Sequence, residues 1–306
     1  MEILWRYGAR DWQNIGHKVI FTSHSFRTLQ TIGWEHAEPV LRSLVFGILN
    51  GGQAGAQGET AAPYASNLAL ASTVREDWAA GKPDPAATTA LLGVFRQAKP
   101  DEAAREAALA LKNSVAASSL WDAVLLSAGE LLLRQPGIVA LHALTASNSL
   151  HHAFEASGQD STRLLALFQA CSWLCLYREA ARARGGLPDG PRIDQLEPGD
   201  ASQPPPLDSI FQELTKDRSL AARRVLAHAS RAPSLAPFFD AARHLVLTKG
   251  TDSHDYKYAS AVFEEVRSAS PSVRPRLLAA SAYQLRGASE PDSPLLEKTR
   301  RALAAL

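Results

Sequence analysis

Apolar residues recur along this chain at three- and four-residue intervals almost throughout, and the strict alternation of a half-buried strand is scarce. That spacing predicts helices over 17–31, 39–50, 65–80, 86–97, 101–116, 119–134 and 138–156, then over 161–184, 207–230, 234–247, 254–268, 271–286 and 294–306. Start and stop residues agree with it. Pro39 suits a first helical turn, Asp160 and Ser161 suit a helix start, Asp252 or Ser253 suits an N-cap, and Gly185 and Gly186 suit a helix end. The predicted class is all-α, a single multi-helix, bundle-like domain over 1–306.

Two stretches break the periodicity. "GGQAGAQGET", residues 51–60, holds small residues that bury little, which predicts a mobile loop. Residues 185–206, with "LEPGDASQPPPL", predict a long irregular excursion. Histidine-bearing segments stand on both sides of that excursion, which favours one domain over two, and no repeat of about 20–50 residues is evident.

Composition narrows the function classes. The 32 Lys+Arg residues nearly balance 31 Asp+Glu, so no long-range field gathers phosphates or an anionic membrane, and nucleic acid is not an expected partner. Hydrophobic residues are 46% of 306, enough to bury a core without staples. Cys171 and Cys175 stand four apart inside an apolar run and match neither a redox pair nor a zinc knuckle; they read as buried thiols of a reducing compartment. "MEILWRYGARDWQN" carries charges where a signal peptide has its apolar core, and no apolar stretch reaches about 18 residues, so the expected location is cytoplasmic with no membrane span.

Three segments concentrate candidate chemistry. "IGHKVIFTSHSFRTLQTIGWEHAEPVLRSL" holds His17, His24 and His36, with Arg27, Arg42, Glu35 and Glu38. His17 and His24 are two helical turns apart and share a face, while His36 lies at a helix boundary between Gly33 and Pro39. "PGIVALHALTASNSLHHAF" places His142 among apolar residues, where a buried imidazole needs a partner: a metal, Thr145 or a backbone carbonyl. His151 and His152 are adjacent and diverge, so at most one joins any shared site. In "TDSHDYKYA", His254 and Lys257 share a helix face, and Asp252 can hold the far ring nitrogen of His254. An ammonium repels a metal cation, so Lys257 enters a ligand sphere only after losing its proton or being carboxylated. For each residue alone, a hydrogen-bonded structural role is the simpler explanation. No zincin, Walker, dinucleotide-binding or serine-hydrolase motif is present.

In order, "IGHKVIF…RTLQTIGWEHAEPVLRSL", "LHALTASNSL" before "RLLALFQACSWLCLY", and "DSHDYKYA" before "RPRLLAASAYQL" resemble the questin oxidase-like family, which includes fungal polyketide-tailoring enzymes. The resemblance implies an all-α fold, a buried histidine-rich site, and oxygenase chemistry on polycyclic aromatic ketones or quinones, with O2 as co-substrate. It implies iron as the cofactor, although imidazoles alone suit zinc equally. Carried over, His142, His254 and Lys257 match motif positions, and His17 and His36 complete the expected metal and catalytic set. Phe21 and Trp34, with Trp12 nearby, would stack on a flat substrate, and Arg27 or Arg42 would meet its phenolate unless paired with Glu35 or Glu38. Fungal members have a longer amino-terminal region with a further histidine, whereas sixteen residues precede His17 here. Two rival expectations stand beside this one. One is a metal-free Baeyer–Villiger-type oxygenase using the same histidines as acids and bases; the other is a non-catalytic helical scaffold.

Overall fold

A computed structural model describes residues 1–10, 12–50, 62–199 and 203–305. The expected loop over 51–60 lies outside them. Fifteen α-helices are described: α1 (Glu2–Gly8), α2 (Gln13–Ile32), α3 (Ala37–Asn50), α4 (Ala62–Ala71), α5 (Pro85–Phe95), α6 (Pro100–Lys112), α7 (Ala117–Arg134), α8 (Ile138–Ala156), α9 (Asp160–Ala183), α10 (Leu207–Glu213), α11 (Arg218–Arg231), α12 (Ala236–Lys249), α13 (Ser253–Ser268), α14 (Arg274–Ala280) and α15 (Pro294–Ala304). Among the described residues there is no strand, only an isolated bridge between Lys82 and Val115. The fold is all-α, as the periodicity predicts.

The chain divides into two compact units, Met1–Ala128 with Thr145–Gly186, and Gly129–Leu144 with Leu187–Leu306. The divisions fall inside α7, inside α8, and where the 185–206 excursion begins.

In the first unit, α6 packs on α9 and buries a stripe of small residues, Ala103, Ala104, Ala107 and Ala108. The buried Arg178 of α9 donates to the Phe95 and Ala98 carbonyls at 2.6 and 2.7 Å, covering chain-end acceptors that α5 cannot satisfy itself. Gly185 and Gly186, at φ 124° and 88°, end α9 as expected. At its start Gln159 is the cap, and Asp160 and Ser161 instead bond Arg163 and Arg6.

In the second unit, rings of Phe211, Phe238, Phe239 and Phe263 follow one another at 5.1, 6.4 and 4.8 Å between centroids. The irregular excursion is anchored at Pro188 and Ile193. Ile193 is fully buried, its N–H donates to Glu130 at 3.0 Å, and Arg134 donates to the Pro188 carbonyl at 2.6 Å.

Candidate metal centre

His142 is fully buried on α8. Its Nδ1 lies 2.6 Å from the Ile138 carbonyl, which can only accept, so Nδ1 carries the proton and Nε2 presents a lone pair. Of the partners the sequence allows, the backbone carbonyl is one that is used. On the other side of the ring, Lys257 Nζ lies 2.8 Å from Nε2 and donates to it. Burial lowers the Lys257 amine to about 8, because a charge loses hydration there; the Asp252 carboxylate opposes the shift only in part.

His254 stands beside this pair, its ring edge-on to His142 at 5.2 Å between centroids. Asp252 is the N-cap of α13 and accepts from the His254 backbone N–H at 2.6 Å, while the same oxygen lies 3.1 Å from His254 Nδ1. That bond orients the ring and sets its tautomer, as the sequence spacing predicts. Desolvation alone would raise the Asp252 carboxyl, but the His254 backbone bond and ring hold it below the usual range.

The start of α13 is fastened from behind. The buried Asp255 accepts from Thr251 and Asp252 N–H at 2.9 and 3.4 Å, and from Arg286 at 2.6 Å. Arg286 also donates to Glu290 at 2.9 Å. Two residues on one helix turn, His254 and Lys257, are thereby held at fixed positions relative to His142.

His17 reaches its place by an unusual backbone. Near its start α2 is interrupted by three left-handed residues, Asn14, Ile15 and Gly16, at φ 50°, 51° and 81°. Asn tolerates that region, but a β-branched Ile does not adopt it freely. Surrounding structure over-determines the turn: Tyr177 donates to the Ile15 carbonyl at 2.8 Å, and the Asn14 carbonyl accepts from His17 Nδ1. His142 and His254 belong with Lys257 to the second unit, and His17, held by this turn, belongs to the first.

His36, in the first unit, is exposed on a 3-10 turn, Trp34–His36. The boundary between Gly33 and Pro39 leaves its side chain facing solvent. His151 stacks on Trp121 at 4.4 Å, and His152 meets the Ser23 hydroxyl at 2.9 Å and the edge of Trp5.

Phe21 lies against Gly47, where a Cβ would meet its ring at 2.5 Å, and Trp34 is 46% exposed near Phe26. Trp12 is edge-on to Tyr177 at 5.2 Å. Arg27 donates to Ser23 and Asn148 at 2.8 and 3.2 Å, whereas Arg42 pairs with Glu38 at 2.9 Å on the surface. Tyr177, Asp255 and Arg286, which hold the site's backbone, escape sequence reasoning. Only Asp255 had a signal, as the third residue after an Asp N-cap.

Compared with family models, with curated proteins and with solved structures, the chain matches none. Among the described residues, no helix is long and apolar enough to cross a membrane.

Proposed function

We propose that the protein is a metal-dependent oxygenase, with iron as the metal, acting on a flat aromatic or quinone-like substrate. The observation that carries the metal is the pairing of the His142 and His254 imidazoles, 5.2 Å between ring centroids, beside Lys257. Their donor chemistry fits a first-row divalent ion, for which neutral imidazole is a common ligand. The fit has a condition. Lys257 occupies the His142 lone pair, so binding requires that amine to swing aside or to stay as an uncharged neighbour, and an amine at about 8 is readily uncharged.

When bound, iron would supply the one-electron chemistry that lets O2 react with an organic ring. The chain's own residues do the rest. Ile138 and Asp252 keep the proton on Nδ1 of His142 and His254, so each Nε2 is left as a base or ligand. Lys257 holds a proton at Nζ that it can give to, or take from, a phenolic or carbonyl oxygen near neutral pH. The oxygenase class and the aromatic substrate are supported by the order of segments resembling the questin oxidase-like family.

One observation favours a metal-free site as the second reading. The 2.8 Å Lys257–His142 bond is complete without a cation and is by itself an acid–base pair. Elemental analysis of protein purified without chelator separates the two. About one equivalent of iron or another transition metal, lost in His254→Ala with helical content unchanged, is the expected result. Less than about a tenth of an equivalent after loading under anaerobic conditions overturns the metal and leaves the acid–base pair.

A further inference from the structure

The second unit carries a groove of about 470 Å³ between the end of α11, the start of α12 and the turn from α13 to α14, unrelated to the histidines. Its volume falls in the range of small-molecule sites, roughly 300–1,000 Å³. The floor is apolar, with Phe239, Leu235 and Val266, and the only charged residues lining it are Arg267 and Arg274.

Both guanidiniums are held in place without being neutralised. Arg267 stacks over the Phe239 ring, 4.9 Å from its centroid. Arg274 donates from Nε to the Ala269 carbonyl at 2.8 Å and from Nη2 to the Arg267 carbonyl at 3.0 Å. Among the described residues neither has a carboxylate partner. The groove is also bordered by the start of α12, a fourteen-residue helix with no acidic residue in its first turn, so its positive end adds to the same field. Two fixed cations, no anion and an aromatic floor make a surplus of positive potential over an apolar bed. Pairing a cation with an uncharged ligand would leave both arginines as they are, whereas a ligand with two negative charges satisfies them through charge-assisted bonds.

We propose that this groove binds a small organic dianion of the phosphate-monoester type, its phosphoryl oxygens on Arg267 and Arg274 and its organic part over Phe239 and Leu235. The reading is independent of any metal. Phenyl phosphate is the probe, titrated calorimetrically into the full chain, with inorganic phosphate and phenol as separate arms.

Saturable binding at one site is expected, tighter for phenyl phosphate than for either fragment. Arg267→Gln should weaken it about tenfold or more, the loss of one charge-assisted contact. Ser234→Asp should abolish it. Ser234 already accepts from Ala236 N–H at 3.2 Å, so aspartate keeps that bond and adds only a repelling charge to the lining. Arg301→Gln, on the exposed face of α15, should leave it unchanged. Absence of saturable binding overturns the proposal, as does equal affinity in wild type and Arg267→Gln, or equal affinity for inorganic and phenyl phosphate. Should Ser234→Asp fail to fold, the exposed Arg267 variant still decides.

Discussion

Lys257 is the residue on which the two readings of the site divide, and its own chemistry can be measured without substrate or metal. An ordinary lysine amine titrates near 10.4, and the burial that lowers Lys257 to about 8 leaves much of it uncharged in mild alkali. Its folded-state value is depressed, so the stability it contributes is fully present above the unfolded value and is lost as pH falls through 8. Reductive methylation followed by peptide mass spectrometry should give a reactivity midpoint near 8 for Lys257. A midpoint above about 10 would mean the amine is well hydrated and the 2.8 Å contact to His142 is not kept in solution. Part of this was legible beforehand. The spacing of His254 and Lys257 and the capping role of Asp252 follow from helix geometry alone, and the structure agrees with both. That Nζ reaches His142, and that His36 faces solvent, was not legible, because periodicity says which residues share a helix face and nothing about which helices meet.

At the scale of elements, the left-handed turn inside α2 carries most of the information that sequence patterns miss. The periodicity predicts a helix from 17, and α2 is regular from there on; Asn14 to Gly16 simply look like a helix approach. What fixes the turn is Tyr177, far away in the sequence. At Gly16 an added Cβ would lie 2.7 Å from the Tyr177 hydroxyl oxygen and 3.0 Å from the Ala146 Cβ, at a φ of 81° that L side chains rarely adopt. Gly16→Ala should therefore cost about 2–4 kcal/mol in urea unfolding, combining left-handed strain with overpacking. Gly93→Ala, in α5 with nothing within 4 Å of the new Cβ, should instead gain up to about 1 kcal/mol. Equal effects would show that the turn relaxes freely. Other elements were misjudged for local reasons. The expected 65–80 helix stops at Ala71, where the Ser72 and Thr73 hydroxyls bond back to Ala69 and Leu70 carbonyls at 2.7 and 2.9 Å. The expected 207–230 helix is two, since Asp217 caps a new start by accepting from Leu220 N–H at 3.0 Å. The short α1, Glu2–Gly8, was not anticipated at all.

Over the whole molecule, alkaline stability follows from acids that the fold keeps neutral. Cys171 and Cys175 are both fully buried; desolvation pushes Cys175 up to about 11 and Cys171 further still, the latter helped by its neighbour. Burial likewise raises the phenols of Tyr177 and Tyr258. In the unfolded chain thiols ionise near 8.5 and phenols near 10. The folded state therefore holds more protons above about 8.5, and stability must fall as pH rises. Each buried thiol contributes about 1.4 kcal/mol of loss per pH unit, so the pair should remove up to about 4 kcal/mol between pH 8.5 and 10. Lys257 acts in the opposite direction over the same interval, so the total curve is a difference and cannot by itself be assigned. Cys171→Ala/Cys175→Ala isolates the thiols. The variant should be less stable than wild type at pH 8, because two sulfur atoms leave small voids, yet its urea midpoint should fall less steeply toward pH 10. Parallel slopes for the two proteins would show that the thiols reach water in the native state, which would also make them open to a thiol reagent at pH 8 without denaturant.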